Sequence, residues 1–250
     1  LLAYAFIFSG IIVGILGYSK SVPTVTFSFL NDPRKSFFAI LLLVVLMIAS
    51  IGGLYFVINR FSSLVYFNRA VVSLQTSSNL EYGERNMLRA ISMNPNDLFY
   101  RTLVQVRIVQ MNRLLSNEDI SEDTMKSEFQ NIFKGAEEAG RLATSFDQTN
   151  YLNWLSLGYV YESVVPLKIE GAYANAKAAY EEALRLNPNN PAIFLNFARL
   201  EVANQTLEEA RIYARRALEQ KPDYIDAYFF LSDLELSEEN TAAAIAHVQT

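Results

Sequence analysis

The sequence repeats itself at a fixed interval. "AKAAYEEALRLNPNNPAIF" (176–194) returns 34 residues later as "ARIYARRALEQKPDYIDAY" (210–228). Pro188 and Pro222 close the two copies, each five residues after an alanine, Ala183 and Ala217. Pro95 stands five residues after Ala90 in the same way. A period of this length with helical patterning means one helical hairpin per unit. A single hairpin cannot cover its own apolar face, so neighbours must stack into a solenoid. The residue types fit that geometry. Gly and Ala let two antiparallel helices approach closely, and Trp154, Tyr161 and Tyr180 fill the remaining gaps. Proline ends the second helix because it lacks an N–H and clashes with the preceding turn.

The register extends in both directions from this core. Residues 64–97 carry Phe67, Ala70, Gly83, Ala90 and Pro95. Residues 98–150 carry Val104, Ala136, Gly140 and Ala143, with Gln148 in place of the closing proline, and are 19 residues longer than the 34-residue period. Residues 151–190 hold a six-residue insertion near "VVPLKIEG", residues 191–224 form a regular unit, and residues 225–250 begin another. That last segment ends in "TAAAIAHVQT", too short and too apolar for a polar cap, so a truncated or incomplete final hairpin is expected. Trp154, Leu157, Gly158 and Tyr161 stand as W-x2-L-G-x2-Y, followed by Ala176, Tyr180, Ala183 and Pro188. This pattern resembles the tetratricopeptide repeat (TPR). The expected fold is all-α: two transmembrane helices, then a TPR solenoid of about four and a half hairpins over residues 64–250.

The transmembrane expectation comes from two charge-free runs in residues 1–63, Leu1–Tyr18 and Ser36–Ile58. At 1.5 Å per residue they reach roughly 27 and 35 Å, against a hydrocarbon core of about 30 Å. The alternative for such runs is a pair of buried core helices. No initiator Met, basic flank or small-residue cleavage site marks a signal peptide. A chain that opens inside an apolar run is expected to have further transmembrane helices upstream or to be a fragment. "GIIVG" (10–14) has the small-xxx-small spacing that lets membrane helices pack closely. Lys20, Arg34 and Lys35 lie between the runs, against Arg60 and Arg69 after the second. This balance places the connection in the cytoplasm and the repeats outside it, in a bacterial inner membrane.

Charge also bounds the partner. Lys20, Arg34, Lys35 and Arg60 against Asp32 give residues 1–63 a net +3 of the chain's −5, leaving −8 on residues 64–250. An acidic domain lacks the basic footprint that nucleic acid requires. The TPR resemblance implies a concave face built from the first helix of each hairpin, and thus recognition by Thr102, Val106, Leu155, Tyr159, Leu195, Asn196, Arg199, Phe229 and Asp233. TPR domains of the heat-shock-chaperone type grip a terminal carboxylate with Lys, Asn and Arg; here Asn196 and Arg199 alone fit, so no carboxylate clamp is expected. The groove reads as apolar and aromatic, suited to a protein or peptide segment, or to the chain's own extra segment. That segment, Ser116–Glu128, is acidic and reads as a solvated loop leading into a lengthened helix, or as a docking loop.

No catalytic constellation is legible. The chain has no cysteine and a single histidine, His247, so thiolate metal sites and Ser-His-Asp or Cys-His arrangements cannot be assembled within it. No glycine-rich phosphate loop is present, and no cofactor or metal is expected. Glu181–Glu182 and Glu208–Glu209 read as solvent-facing pairs. The stretch from "TFSFLNDPRKSFFAILLLVVLMIASIGGLYFVINRF" to "NPNDLFYRTLVQVRIVQMNRLL" resembles, in layout and phrasing, the end of polytopic bacterial membrane proteins of the O-antigen ligase/polymerase type that carry C-terminal TPR units. That resemblance covers roughly residues 1–115 and implies a glycan-polymer transferase whose catalytic loops lie upstream. The alternative is a membrane-anchored scaffold at the cell envelope that mediates protein–protein interaction.

Overall fold

A computed structural model describes Ile12, Ile15 and residues 33–75, 79–117 and 119–238. By packing, the chain divides into two units, Leu1–Val57 and Ile58–Thr250. Helix α1 (Pro33–Gln75) opens on Pro33, whose fixed φ and missing N–H suit a first helical turn. Residues 40–58 of α1 are exposed on every side. Of their two hydroxyl-bearing side chains, Ser50 and Tyr55, Ser50 donates its hydroxyl to the Leu46 carbonyl at 2.8 Å. Among the described residues, α1 is the one helix long and apolar enough to cross a membrane. The other expected span, Leu1–Tyr18, lies outside them apart from Ile12 and Ile15. The described residues therefore support one of the two expected spans.

The second unit holds the end of α1, then α2 (Leu80–Met93), α3 (Asp97–Leu115), α4 (Glu122–Phe146), α5 (Tyr151–Glu162), a 3-10 turn (Val165–Leu167), α6 (Ala172–Leu186), α7 (Pro191–Ala203), α8 (Leu207–Gln220) and α9 (Ile225–Ser237). No strand occurs among the described residues. Helices α3/α4, α5/α6 and α7/α8 pack as hairpins, and each hairpin packs on the next. The end of α1 pairs with α2, where Ser63 donates to the Ala90 carbonyl at 2.9 Å. Residues 239–250, expected to continue the last unit, lie outside the described residues.

The recurrent residues each perform a local task. Asn96, Asn150 and Asn190 cap α3, α5 and α7 by accepting a hydrogen bond from a first-turn N–H, which satisfies an otherwise orphaned donor. Ala90, Ala143, Ala183 and Ala217 are all fully buried. Each also accepts the final backbone bond of its helix, from Asn94, Asp147, Asn187 and Lys221 respectively. One small residue thus serves both the helix end and the hairpin contact. Gly158 is the tightest point: a Cβ there would lie 2.2 Å from Cε1 of Tyr180. Tyr180 is fully buried and meets Tyr159 and Phe197 edge-on.

A polar bond joins each stacked pair of hairpins. Arg107 on α3 reaches Glu84 on α2 at 2.6 Å, and Gln110 donates to the same carboxylate at 2.6 Å. Tyr161 on α5 donates to Glu137 on α4 at 2.8 Å, beside the Arg141 guanidinium. Tyr173 on α6 donates to the buried Glu201 on α7 at 2.8 Å. Arg211 on α8 donates to Glu235 on α9 at 3.0 Å and also contacts Glu208 and Glu238. The described acidic residues of the Ser116–Glu128 segment, Asp119, Glu122, Asp123 and Glu128, are exposed where the chain enters the lengthened α4.

Gly158→Ala should be strongly destabilising, by about 1–3 kcal/mol or more, since Tyr180 is held on all sides. Thermal melts followed by helix signal should show a lowered midpoint. Adding Tyr180→Leu to that variant should return part of the loss, whereas an unchanged midpoint for Gly158→Ala would refute the close contact.

Candidate functional site

First helices of successive hairpins present one stripe each to a shared cleft of about 740 Å³. On α5 the stripe is Leu152, Leu155, Ser156 and Tyr159, the i, i+3, i+4, i+7 spacing that puts residues on one helix face. On α3 it is Leu98, Arg101, Thr102, Gln105 and Val109; on α7 it is Ala192, Asn196 and Arg199; Tyr224 and Asp226 close the far end. Leu98, Val109 and Leu152 leave over two-fifths of their surface exposed, which is apolar area available to a partner.

A polar node crosses the cleft floor. The Tyr159 hydroxyl donates to Asn196 Oδ1 at 2.7 Å, and Arg199 Nη1 donates to the same oxygen at 3.1 Å. Among the described residues Arg199 forms no ion pair within 4 Å, so its charge is available to a partner. Arg101 is better anchored, donating to Asn153 Oδ1 at 3.1 Å with Asp97 at 3.7 Å. The sequence reading placed Arg199 in an otherwise apolar and aromatic groove, and Arg101 is a second arginine in it.

Below this floor Glu162, the last residue of α5, accepts a 2.5 Å hydrogen bond from the Tyr180 hydroxyl. Burial pushes the Glu162 carboxyl up to about 7, against the opposing pull of the Tyr180 hydrogen bond and the Arg199 charge. Burial, together with the Glu162 charge, pushes Tyr180 well up, and burial pushes Tyr159 up as well. Glu137 behaves oppositely: burial raises it, but the hydrogen bonds from Tyr161 and Arg141 outweigh that and its pKa is lowered.

Of the residues read from sequence, Thr102, Leu155, Tyr159, Asn196 and Arg199 line the cleft together. Val106 is fully buried, beside Leu74 and Leu80. Leu195 is buried against Ala198, Ala214 and Leu231, under the α8–α9 contact. Phe229 and Asp233 are exposed on α9 and lie outside the cleft. Arg101, Gln105, Val109 and Asp226 went unread. Extending the i, i+3, i+4, i+7 stripe along α3 would have found the first three. Asp226 enters only because α9 packs across the end.

Residues 167–213 match the sequence profile of the tetratricopeptide repeat family. That stretch carries tetratricopeptide-repeat sequence, and the hairpins on either side of it stack in the same way. A thermophilic TPR protein of Thermus thermophilus, TTC0263, superposes with a TM-score of 0.56 at 16% identity, over 74% of this chain and 87% of that one. At that identity the likeness is one of fold. Two protein O-mannosyl-transferases are similar in sequence. Tmtc3 of Drosophila melanogaster is 37% identical over 81 residues, covering 29% of this chain and 9% of that protein. TMTC1 of Mus musculus is 30% identical over 82 residues, covering 33% and 8%. The chain thus spans less than a tenth of the length of these curated relatives.

Glu162 gives the solenoid a pH signature. Its folded pKa lies above the ordinary carboxylate value, so the folded state holds the proton more tightly than the unfolded state. That contribution is complete below about pH 4.5 and is lost as pH rises through about 7. Its full size is on the order of 3 kcal/mol. Glu162→Gln should keep the Tyr180 hydrogen bond without the charge. It should raise the thermal midpoint at pH 8 and flatten its fall between pH 5 and pH 8. A variant with the wild-type slope would show that Glu162 does not titrate there.

Proposed function

We propose that this protein is a membrane-anchored TPR scaffold whose cleft holds a segment of a protein partner. The observation that carries the reading is the cleft itself, where exposed apolar side chains from α3 and α5 stand with Arg199, which forms no ion pair within 4 Å among the described residues. An apolar segment bearing at least one acidic group complements that surface in shape and charge. The exposed apolar run of α1 supports anchoring in a bilayer. The distribution of Lys20, Arg34 and Lys35 against Arg60 and Arg69 favours repeats on the extracytoplasmic side of a bacterial inner membrane.

A second reading has the chain as the C-terminal part of an envelope glycan transferase of the O-antigen ligase/polymerase type, with the TPR units as an accessory module and further transmembrane helices upstream. Similarity to two protein O-mannosyl-transferases over about a third of the chain favours a glycosyl-transfer context. The full reading frame separates the two. Roughly ten upstream apolar spans with a large intervening loop support the transferase, whereas an initiator Met just before Leu1 supports the stand-alone scaffold.

Photo-crosslinking from Val109 and Leu152, in the cleft, should trap a partner that Leu88, on α2 outside the cleft, does not. Tyr159→Asp and Arg199→Gln should each weaken that partner at least tenfold while leaving the helix signal unchanged. Unchanged binding in both would reject the cleft as the recognition surface. Proteolysis of residues 64–250 in intact cells should depend on outer-membrane permeability alone. Protection in spheroplasts would place the repeats in the cytoplasm.

A further inference from the structure

We propose that protonation of Glu162 switches the charge of the cleft beside Arg199, so that an anionic partner segment is held more tightly at mildly acidic than at mildly alkaline pH. The inference rests on the cleft being the recognition surface, and it adds a control that surface would carry.

Glu162 differs from the other enclosed carboxylates of the solenoid. Glu84 is met by Arg107 and Gln110, Glu137 by Arg141 and Tyr161, Glu201 by Tyr173 and Thr206, and Glu235 by Arg211. Glu162 has one donor, the Tyr180 hydroxyl at 2.5 Å, and among the described residues no ion pair within 4 Å. It also ends α5, where the helix's unsatisfied carbonyls oppose a negative charge. A shielded carboxylate with one hydrogen bond at the wrong end of a helix favours its neutral form. The groups around it are Tyr180 from α6, Tyr159 of its own helix, whose ring meets that of Tyr180, and Arg199 from α7, joined to Tyr159 through Asn196 Oδ1. Arg199 is the only cation among them, and it lines the cleft.

Ionised Glu162 therefore offsets part of the Arg199 field, and neutral Glu162 leaves that field to the cleft. Linkage requires the converse: an anion bound at Arg199 opposes ionisation of Glu162 and raises its pKa. Removing one such opposing charge in a partly solvated setting changes anion affinity by about three- to tenfold.

The test uses the full chain in nanodiscs and a fluorescent acetyl-Leu-Glu-Leu-Leu-Glu-Leu-amide peptide, whose carboxylates stay ionised above pH 6. Anisotropy should show wild-type affinity rising about three- to tenfold from pH 8 to pH 6. Glu162→Gln should bind tightly and with a flat profile, and Arg199→Gln weakly and with a flat profile. In parallel, the Glu162 carboxyl carbon is titrated by NMR, assigned by its loss in Glu162→Gln, with the Arg199 Nε resonance as reporter. A Glu162 midpoint below pH 5.5, or a Glu162→Gln variant that keeps the wild-type slope, overturns the proposal. A peptide bound at no pH rejects the partner reading instead. The switch then stands only if the Arg199 resonance moves with the Glu162 transition and Arg199→Gln raises the Glu162 midpoint; otherwise it falls.

Discussion

The solenoid depends on helices approaching more closely than ordinary side chains allow. At Gly158 the missing Cβ is replaced by the Tyr180 ring, and the fully buried Ala183 and Ala217 serve the neighbouring contacts. Close packing of this kind is felt at the scale of one methyl group. It orients the rest. Tyr180 is fixed against α5, its hydroxyl is brought to Glu162, and Tyr159 is turned across to Asn196 on α7. The cleft floor is thus a by-product of how one hairpin closes.

The hairpins, their closing prolines and their small contact residues were legible because period and residue type both report backbone geometry. Gly158, Tyr180 and Ala183 could be placed on facing helices from spacing alone. The site was legible only in part. Helix register put Thr102, Leu155, Tyr159, Asn196 and Arg199 on the first-helix face, where they meet. The same register cannot tell a groove residue from one covered by the next hairpin, which is why Leu195 is buried while Tyr159, four positions further along its own unit, is open. Arg101 and Gln105 were missed because reading two positions per helix samples a narrower stripe than the cleft uses. The Glu162–Tyr180 bond has no sequence signature, since it joins the end of one helix to the middle of the next.

Burial of charge follows a consistent pattern across the array. Most enclosed carboxylates receive two or more donors or a guanidinium, which offsets the loss of water. Glu162 is left with one. That difference is a packing outcome: Tyr180 fills the space over Gly158, and its hydroxyl is the donor that reaches the carboxylate.

The bonds between stacked hairpins use two chemistries, arginine to glutamate and tyrosine to glutamate, and place donor and acceptor on different helices at each junction. Arg107 meets Glu84, Tyr161 meets Glu137, Tyr173 meets Glu201 and Arg211 meets Glu235. A junction therefore accepts a neighbour only when donor meets acceptor. If residues 151–190 were excised, α7 would be set against α4, and Glu201 would confront Glu137 where Tyr161 now stands. Two carboxylates would share a site built for a hydroxyl and a carboxylate. Units with interchangeable backbones are thereby held to a fixed order, and an ancestor that grew by duplication could lengthen freely only until these pairings diverged.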